Sequence, residues 1–545
     1  MSQDRRDLDR RIARLAIPAL GAVAAEPLYN LADTAIVGHL GRGALDALAI
    51  ATSALSIVAW LAIFLSTATT TEVARRAARG ETRAAGRAVG AAYAVAAGWG
   101  AVTAGLVAAV APVLVTLLGA KGAIGPAATG YIRISALGLP FLYLSYAGNG
   151  QLTGLENTRT PLRIAVGANV VNVALEAWLV FGLHAGLVGS AWGTVAAQVL
   201  AAAAYARASR RSACRPARPA RRDIAAVLRD GHRLSVRTIA LGVVPLAATA
   251  VAARLGAVPL AGWQVAYRLW GLLSLSTDAL AVPAQVYVSA ALGRGDRAAA
   301  EVAARRTLTL GLAAGCGLAV VTAALALGAP QAFTADPAVR AAAVTALLCS
   351  AATQPLAALA YVYDGVILGL GDYGAMRRAM ILAIGAFVPI AWLVLRFHWV
   401  GLPGVWAALG CWLAARSLLL GRCWARAVRA GSTRAGAPSA PEPAPTAEPV
   451  PDGGLPCDPR RSGQADQETG GGTIASIAAS CSAVGSQRPA AALALTCSGD
   501  VAPAMTEEQP GWAARPPIAI SSSDTPCCVP QSMSASTLSS LASVT

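Results

Sequence analysis

The chain is 545 residues long, 56% hydrophobic and only 13% charged, with a mean hydropathy of +0.55; an average soluble domain carries about twice that charged fraction, which argues against an ordinary soluble enzyme. The formal net charge of +16 comes from 44 Lys+Arg against 28 Asp+Glu, with Lys121 the one lysine, and such a surplus fits either nucleic acid or the basic loops beside membrane spans. Its distribution separates these readings: residues 1–430 hold 39 basic and 18 acidic residues, residues 431–545 hold 5 and 10, so the positive charge belongs wholly to the apolar part.

Within that part, apolar stretches long enough to cross a hydrocarbon core, about 20 residues as helix, alternate with short polar segments. Twelve spans are predicted, at 13–38, 47–71, 88–118, 129–152, 162–182, 187–206, 236–253, 259–290, 307–328, 339–369, 379–395 and 403–421. The first contains Ala22-Val23-Ala24, which looks like a signal cleavage site, but its apolar run outlasts a signal-sized segment and is expected to be retained. Placing the N-terminus in the cytoplasm puts 31 basic residues in inside segments, among them Arg75, Arg76, Arg79, Arg83 and Arg87 and ten arginines from Arg207 to Arg237. Six fall outside (Arg42, Lys121, Arg133, Arg254, Arg340 and Arg396), and Arg268 and Arg416 lie within spans. A miscounted span would mix the two sets, so the positive-inside bias supports twelve spans with both termini cytoplasmic and requires no nucleic acid.

The sequence repeats at an offset of 215. Leu40-Gly41 falls on Leu255-Gly256, Arg79-Gly80-Glu81 on Arg294-Gly295-Asp296, Pro140 on Pro355, Gly150 and Gly154 on Gly365 and Gly369, and Arg163 on Arg378; the offset slips to 214 for His184/His398 and Trp192/Trp406. Six spans per repeat is an even number, so the two halves are parallel and related by an axis along the membrane normal. The fold class is therefore an all-α integral membrane protein of twelve helices in two six-helix lobes. Its parts are a cytoplasmic N-terminus (1–12), an N-terminal lobe (13–206), a basic cytoplasmic linker (207–235) read as a solvated tether, a C-terminal lobe (236–425) and a disordered cytoplasmic tail (426–545).

Five acidic residues fall within spans: Glu26, Asp33, Glu176, Asp278 and Asp364. Each costs at least about 2.5 kcal/mol near the bilayer centre if ionised and unpaired, so each needs a cavity, a partner or a proton. Glu26, Asn30 and Asp33 share one helical face of span 1; Asn169, Asn172 and Glu176 share one face of span 5. The repeat supplies an internal control. The equivalent positions are Leu241, Pro245 and Ala248 in span 7 and Ile384, Phe387 and Ala391 in span 11. The scaffold is symmetric and the carboxylates are not, which points to a proton or cation site confined to the N-terminal lobe. Asp278 and Asp364 belong to the second lobe, where they line the substrate path or pair with Arg268. Pro18 and Pro27 flank the first stripe and permit a kink in span 1.

The runs Leu15-Ala16-Ile17-Pro18 and Leu31-Ala32-Asp33-Thr34-Ala35-Ile36-Val37-Gly38-His39-Leu40-Gly41 resemble the first span of multidrug and toxic compound extrusion (MATE) transporters of the DinF-like branch. The likeness continues through Asn169-Val170-Val171-Asn172, Glu176-Ala177-Trp178-Leu179-Val180-Phe181-Gly182, Tyr363-Asp364-Gly365 and Met376-Arg377-Arg378, over about residues 10–425. The resemblance implies a V-shaped pair of six-helix bundles in the cell membrane. It implies an antiporter, driven by protons or alternatively by sodium, that acts as a monomer and exports amphipathic, often cationic small molecules. It also implies that Asp33 is the coupling aspartate, with Asn172 and Glu176 its span 5 partners, although the family position at Glu176 is usually aspartate. Thr194 and Gln198 are weaker candidates for the same network, and Asp278 and Asp364 match acidic positions in the second lobe.

A major-facilitator transporter also has twelve spans in two parallel halves, but the 72–83 segment lacks its usual loop pattern. A lipid-linked precursor flippase of the MATE-related superfamily needs a cationic cavity, whereas the spans hold five acids against Arg268 and Arg416. A membrane-embedded enzyme needs a nucleophile or metal constellation. The four histidines, His39, His184, His232 and His398, lie near span ends without ligand spacing, and the repeat-equivalent pair His184/His398 suggests a structural role at an outer turn. No metal, cofactor or Walker-type phosphate loop is expected. The tail, rich in Ser, Ala, Pro, Gly and Thr, holds five of the ten cysteines without metal-like spacing.

Overall fold

The computed structural model describes residues 2–397 and 400–434. These form fourteen α-helices: α1 (Ser2–Gly38), α2 (Arg42–Leu61), α3 (Phe64–Ala78), α4 (Thr82–Leu117), α5 (Ile124–Ala136), α6 (Leu139–Gly154), α7 (Arg159–Ala177), α8 (Gly186–Arg211), α9 (Arg221–Arg254), α10 (Ala257–Gly293), α11 (Arg297–Phe333), α12 (Pro337–Leu370), α13 (Tyr373–Phe397) and α14 (Gly401–Arg434). A π-helical turn, Trp178–Gly182, ends α7. Because α2 continues into α3 and α5 into α6, the helices make twelve traverses. Ten traverses among the described residues are long and apolar enough to cross a membrane on their own. The other two are the α5–α6 pair, broken at Leu137–Gly138 into pieces of 13 and 16 residues, and α10, whose length carries Arg268, Asp278 and Gln285.

The internal repeat is a repeat of backbone geometry. Gly41 and Gly256 cap α2 and α10 at φ 102° and 120°, Gly80 and Gly295 turn at 77° and 76°, and Gly186 and Gly401 at 56° and 52°, positive values that favour glycine. The close approaches repeat as well. A Cβ on Gly150 would stand 2.4 Å from the Ser66 carbonyl oxygen and one on Gly365 2.3 Å from that of Ala281; Gly154 and Gly369 abut Thr70 and Gln285 in the same way. Each contact in the first lobe recurs 215 residues later in the second, so the glycines that punctuate the sequence let α6 meet α3 and α12 meet α10 backbone to backbone.

One apolar cluster, Ala47, Leu65, Val95, Ile132 and Tyr143, fills the N-terminal lobe and continues into Ile367, Met376 and Met380 of the second; another, Trp263, Ala346, Phe387, Trp406 and Leu413, lies wholly in the C-terminal lobe. Hydrogen bonds between the lobes gather at the arginine-rich end of the helices. Thr71 Oγ1 donates to Leu368 O at 2.9 Å, Arg75 Nη2 to the Gly369 and Leu370 carbonyls at 3.2 and 2.9 Å, Arg79 Nε to Gly293 O at 2.9 Å and Gln285 Nε2 to Thr67 O at 2.7 Å. Arg306 of α11 forks onto Asp9 of α1 at 2.6 and 2.5 Å.

The connecting segments differ from expectation. Helix α8 continues to Arg211 and α9 begins at Arg221, leaving only residues 212–220 outside helices. Arg215 and Arg218 are exposed, as a solvated linker requires, but the nine residues are not free. Ala217 N donates to Gly86 O at 2.9 Å, and the buried Gln151 Nε2 donates to Cys214 O at 2.7 Å and Ser212 Oγ at 2.8 Å, so the strap is pinned across α4 and α6. The N-terminal segment is helical from Ser2, and α14 carries the chain past the expected boundary at 426 to Arg434. Both extensions are rich in arginine, Arg5, Arg6, Arg10 and Arg11 in the first and Arg426, Arg429 and Arg434 in the second, a residue that favours the helix. His398 and the tail from 435, with Cys457, Cys481, Cys497, Cys527 and Cys528, lie outside the described residues.

Candidate functional site

Helix α1 runs unbroken through Pro18 and Pro27, so the prolines remove backbone donors without ending the helix. Near each, a donor from the α7 region reaches the α1 backbone: Thr158 Oγ1 donates to Leu15 O at 3.1 Å and Asn169 Nδ2 to Ala25 O at 2.9 Å. Asn169 thereby ties α7 to α1 one residue before Glu26. One face of α1 then passes from open to closed. Glu26 and Asn30 are exposed, Glu26 within electrostatic reach of Tyr146 on α6, whereas Asp33 is 3% exposed.

Asp33 is sealed by α5, α7 and α8. Ser190 Oγ, on α8, donates to Asp33 Oδ1 at 3.0 Å. Glu176 of α7 is fully buried beside Asp33 and Ser190, with neither carboxylate oxygen hydrogen-bonded, and Asn172 Oδ1, one turn earlier, is also without a donor. Tyr131 of α5, 3% exposed, lies against Ser190 and Thr194 within reach of both carboxylates. Tyr29 and Thr194 share a hydroxyl hydrogen bond of 3.1 Å, and Thr194 Oγ1 donates to Ser190 O at 3.2 Å. Gln198 lies further along α8, its Oε1 buried against Gly138 without a partner. No group of three His, Cys, Asp or Glu able to hold a metal lies among the described residues. Two buried carboxylates with hydroxyl donors on one side can share a proton and exchange it for a cation.

Ser190, Tyr29 and Tyr131 escaped the sequence reading. Two had a signal: Ser190, Thr194 and Gln198 repeat at intervals of four on α8, and Tyr29 is one turn before Asp33. Tyr131 had none, because α5 reaches the cluster only through the fold. The repeat-equivalent positions are apolar core in the other lobe, where Ala248, Phe387 and Ala391 are buried in one cluster.

In the second lobe Asp364, 1% exposed, pairs with Arg237 and Arg416 and not with Arg268, which is exposed. Arg237 donates from Nε at 3.0 Å and Nη2 at 2.5 Å; Arg416 donates through Nε at 3.3 Å and through Nη2. Arg237, counted among the loop arginines by its place in the sequence, is thus drawn into the lobe, because α9 begins sixteen residues before it and the buried carboxylate needs a counter-charge. Asp278 is half-buried within electrostatic reach of Arg237, Asp364 and Arg416.

The MatE family model matches residues 18–178 and 235–393, one segment in each lobe. Protein DETOXIFICATION 44, chloroplastic, of Arabidopsis thaliana is 30% identical over 446 residues, covering 79% of this chain and 85% of that protein. DNA damage-inducible protein F of Escherichia coli (strain K12) is 26% identical over 442 residues, covering 78% and 94%. Among solved folds, the crystal structure of MATE in the bent conformation superposes with a TM-score of 0.74 at 21% identity, covering 79% of this chain and 98% of that one. With both lobes matched in sequence and the whole bundle matched in fold, the chain belongs to the MatE family and is a multi-pass membrane transporter of the multidrug and toxic compound extrusion class.

Proposed function

We propose that this transporter is a proton-coupled antiporter that exports amphipathic, often cationic small molecules across the cell membrane, acting as a monomer with both termini in the cytoplasm. The observation that carries the reading is the pairing of Asp33 with Glu176 in a closed polar pocket of one lobe, where the other lobe packs alanine at both positions. Ionised, the pair favours a cation; protonated, it releases it. In the cycle we infer, a cationic substrate enters beside the Glu26–Asn30–Asp33 face of α1 while the arginine-rich end is open. Protons arriving from the other side neutralise Asp33 and Glu176, α1 shifts about its prolines, and the substrate leaves. One proton moving down about 100 mV contributes about 2.3 kcal/mol, enough for a concentration ratio of roughly 50.

The test is dye transport in proteoliposomes under an imposed pH gradient, with a sodium gradient as the comparison. Wild-type protein should concentrate a cationic dye under the pH gradient, and Asp33→Asn should abolish the uphill component while remaining monodisperse in detergent. Undiminished proton-driven accumulation by that variant removes the assignment; accumulation under the sodium gradient alone transfers the coupling to sodium.

A further inference from the structure

Both lobes leave some buried hydrogen-bonding groups unmatched. In the N-terminal lobe these include the acceptors Glu176 Oε1 and Oε2, Asn172 Oδ1 and Gln198 Oε1 and the donors Arg75 Nε and Arg87 Nε. In the C-terminal lobe donors predominate: Arg416 Nη1, the indole nitrogens of Trp270, Trp406 and Trp412, and Arg340 Nε, with the hydroxyls of Ser274 and Ser350 and the acceptor Gln354 Oε1. Arg416 and the three tryptophans are nine-tenths or more buried. A buried indole or guanidinium N–H left without an acceptor loses its hydration and gains nothing in return, so a cluster of them marks a place built for an acceptor.

These groups fall into two aromatic sets linked by the electrostatic reach between Tyr361 and Tyr267. The Arg416 guanidinium lies 5.2 Å over the Tyr361 ring and 5.4 Å over the Trp412 ring. Tyr361 is within electrostatic reach of Tyr267, Asp278 and Asp364. Tyr267 stacks on Trp270 at 5.8 Å, and Trp270 meets Trp406 edge-on at 6.4 Å. Tyr267, Asp278 and Tyr361 are only half-buried and give the cluster an accessible edge. Asp364 already engages Arg416 through Nε and Nη2, which leaves Nη1 as a positively charged donor among aromatic faces.

We propose that the C-terminal lobe holds a second binding site, formed by Arg416, Trp412, Trp270 and Ser274 between α10, α12 and α14, for the carboxylate of an aromatic organic anion or zwitterion. The carboxylate supplies the acceptors that the guanidinium and indoles lack, and the aromatic part of the molecule stacks on Tyr267 and Tyr361. The transporter then handles carboxylate-bearing compounds as well as cations, each charge type in its own lobe. This site is independent of the coupling reading, since it can be measured at equilibrium with no gradient.

The experiment is a tryptophan-fluorescence titration of the purified full chain with hippurate, and with hippuramide, which keeps the frame and loses the charge. Hippurate is expected to bind at least about tenfold more tightly than hippuramide, as a charged hydrogen bond warrants. Trp412→Phe removes one donor and keeps the ring, and Arg416→Lys keeps the charge toward Asp364; each should weaken hippurate about tenfold while hippuramide moves little. Should Arg416→Lys fail to fold, Trp412→Phe and Ser274→Ala carry the test. Equal affinity for the two compounds, no hippurate binding, or hippurate binding untouched by Trp412→Phe overturns the proposal.

Discussion

Gly193 of α8 sits directly against Glu176 of α7: a Cβ on Gly193 would stand 3.2 Å from both the backbone nitrogen and the Cα of Glu176. The missing side chain therefore sets how close the two helices run at the point where the carboxylate is buried. Alanine fits only if α7 yields by a few tenths of an ångström, whereas leucine cannot fit without moving it. Gly193→Ala should lower proton-driven dye accumulation a few-fold. Gly193→Leu should lower it by at least about tenfold, in line with an overpacking cost of about 1–3 kcal/mol, with both variants compared in proteoliposomes at equal incorporation.

Ser190 gives Asp33 a hydroxyl donor at 3.0 Å. Removing a bond to a charged group is worth about 1.5 kcal/mol or more, roughly a factor of ten. Ser190→Ala should therefore cut proton-driven accumulation about tenfold, and Ser190→Thr, which restores the hydroxyl, should recover most of it. If the bond merely stiffens α8, alanine and threonine will not separate in transport.

The twelve traverses, the repeat and the burial of Asp33 and Glu176 among apolar helices were legible in the sequence because each has a local signature. Apolar runs, glycines 215 residues apart and charged groups at helical spacing all survive without knowledge of the fold. The path of the linker was not legible. Its many arginines read as solvated, yet the contacts that pin it come from Gly86 and Gln151, which belong to helices more than sixty residues earlier. Arg237 was misplaced for the same reason. Its partner Asp364 lies 127 residues away, and periodicity along one helix carries no information about which distant carboxylate will need a counter-charge. Tyr131 shows the limit most plainly, since a single tyrosine on a short helix becomes part of the acidic pocket only when α5 packs against α8.

The contacts that hold the lobes together at the arginine-rich end are unequal. Asp9 and Arg306 are each 31% exposed in the ion pair, so water screens it and the pair contributes little. Arg75 caps two carbonyls at the end of α12 and lies close against Gly371, with one nitrogen wholly buried. Arg75→Ala should loosen this end far more than Asp9→Asn. Hydrogen exchange will read the difference: amides at 368–372 and 292–296 should exchange at least about tenfold faster in Arg75→Ala, as the loss of two hydrogen bonds to a charged group warrants, and within a few-fold of wild type in Asp9→Asn.

Two glycines on α4 isolate the contribution of the linker strap. A Cβ on Gly90 would stand 1.9 Å from the Ala217 carbonyl oxygen, whereas one on Gly98 meets nothing within 4 Å. Replacing either by alanine brings the same gain in helix propensity, about 0.5–1 kcal/mol, so any difference between the variants comes from packing. Gly98→Ala should leave the thermal midpoint unchanged or slightly raised. Gly90→Ala must lift the strap from α4, breaking the Ala217–Gly86 bond and disturbing the bonds of Gln151 to Ser212 and Cys214. At about 1 kcal/mol per hydrogen bond, the loss outweighs the propensity gain by about 1–2 kcal/mol, and the midpoint should fall by a few degrees. Equal midpoints for the two variants would show that the strap packs on α4 without contributing to its stability.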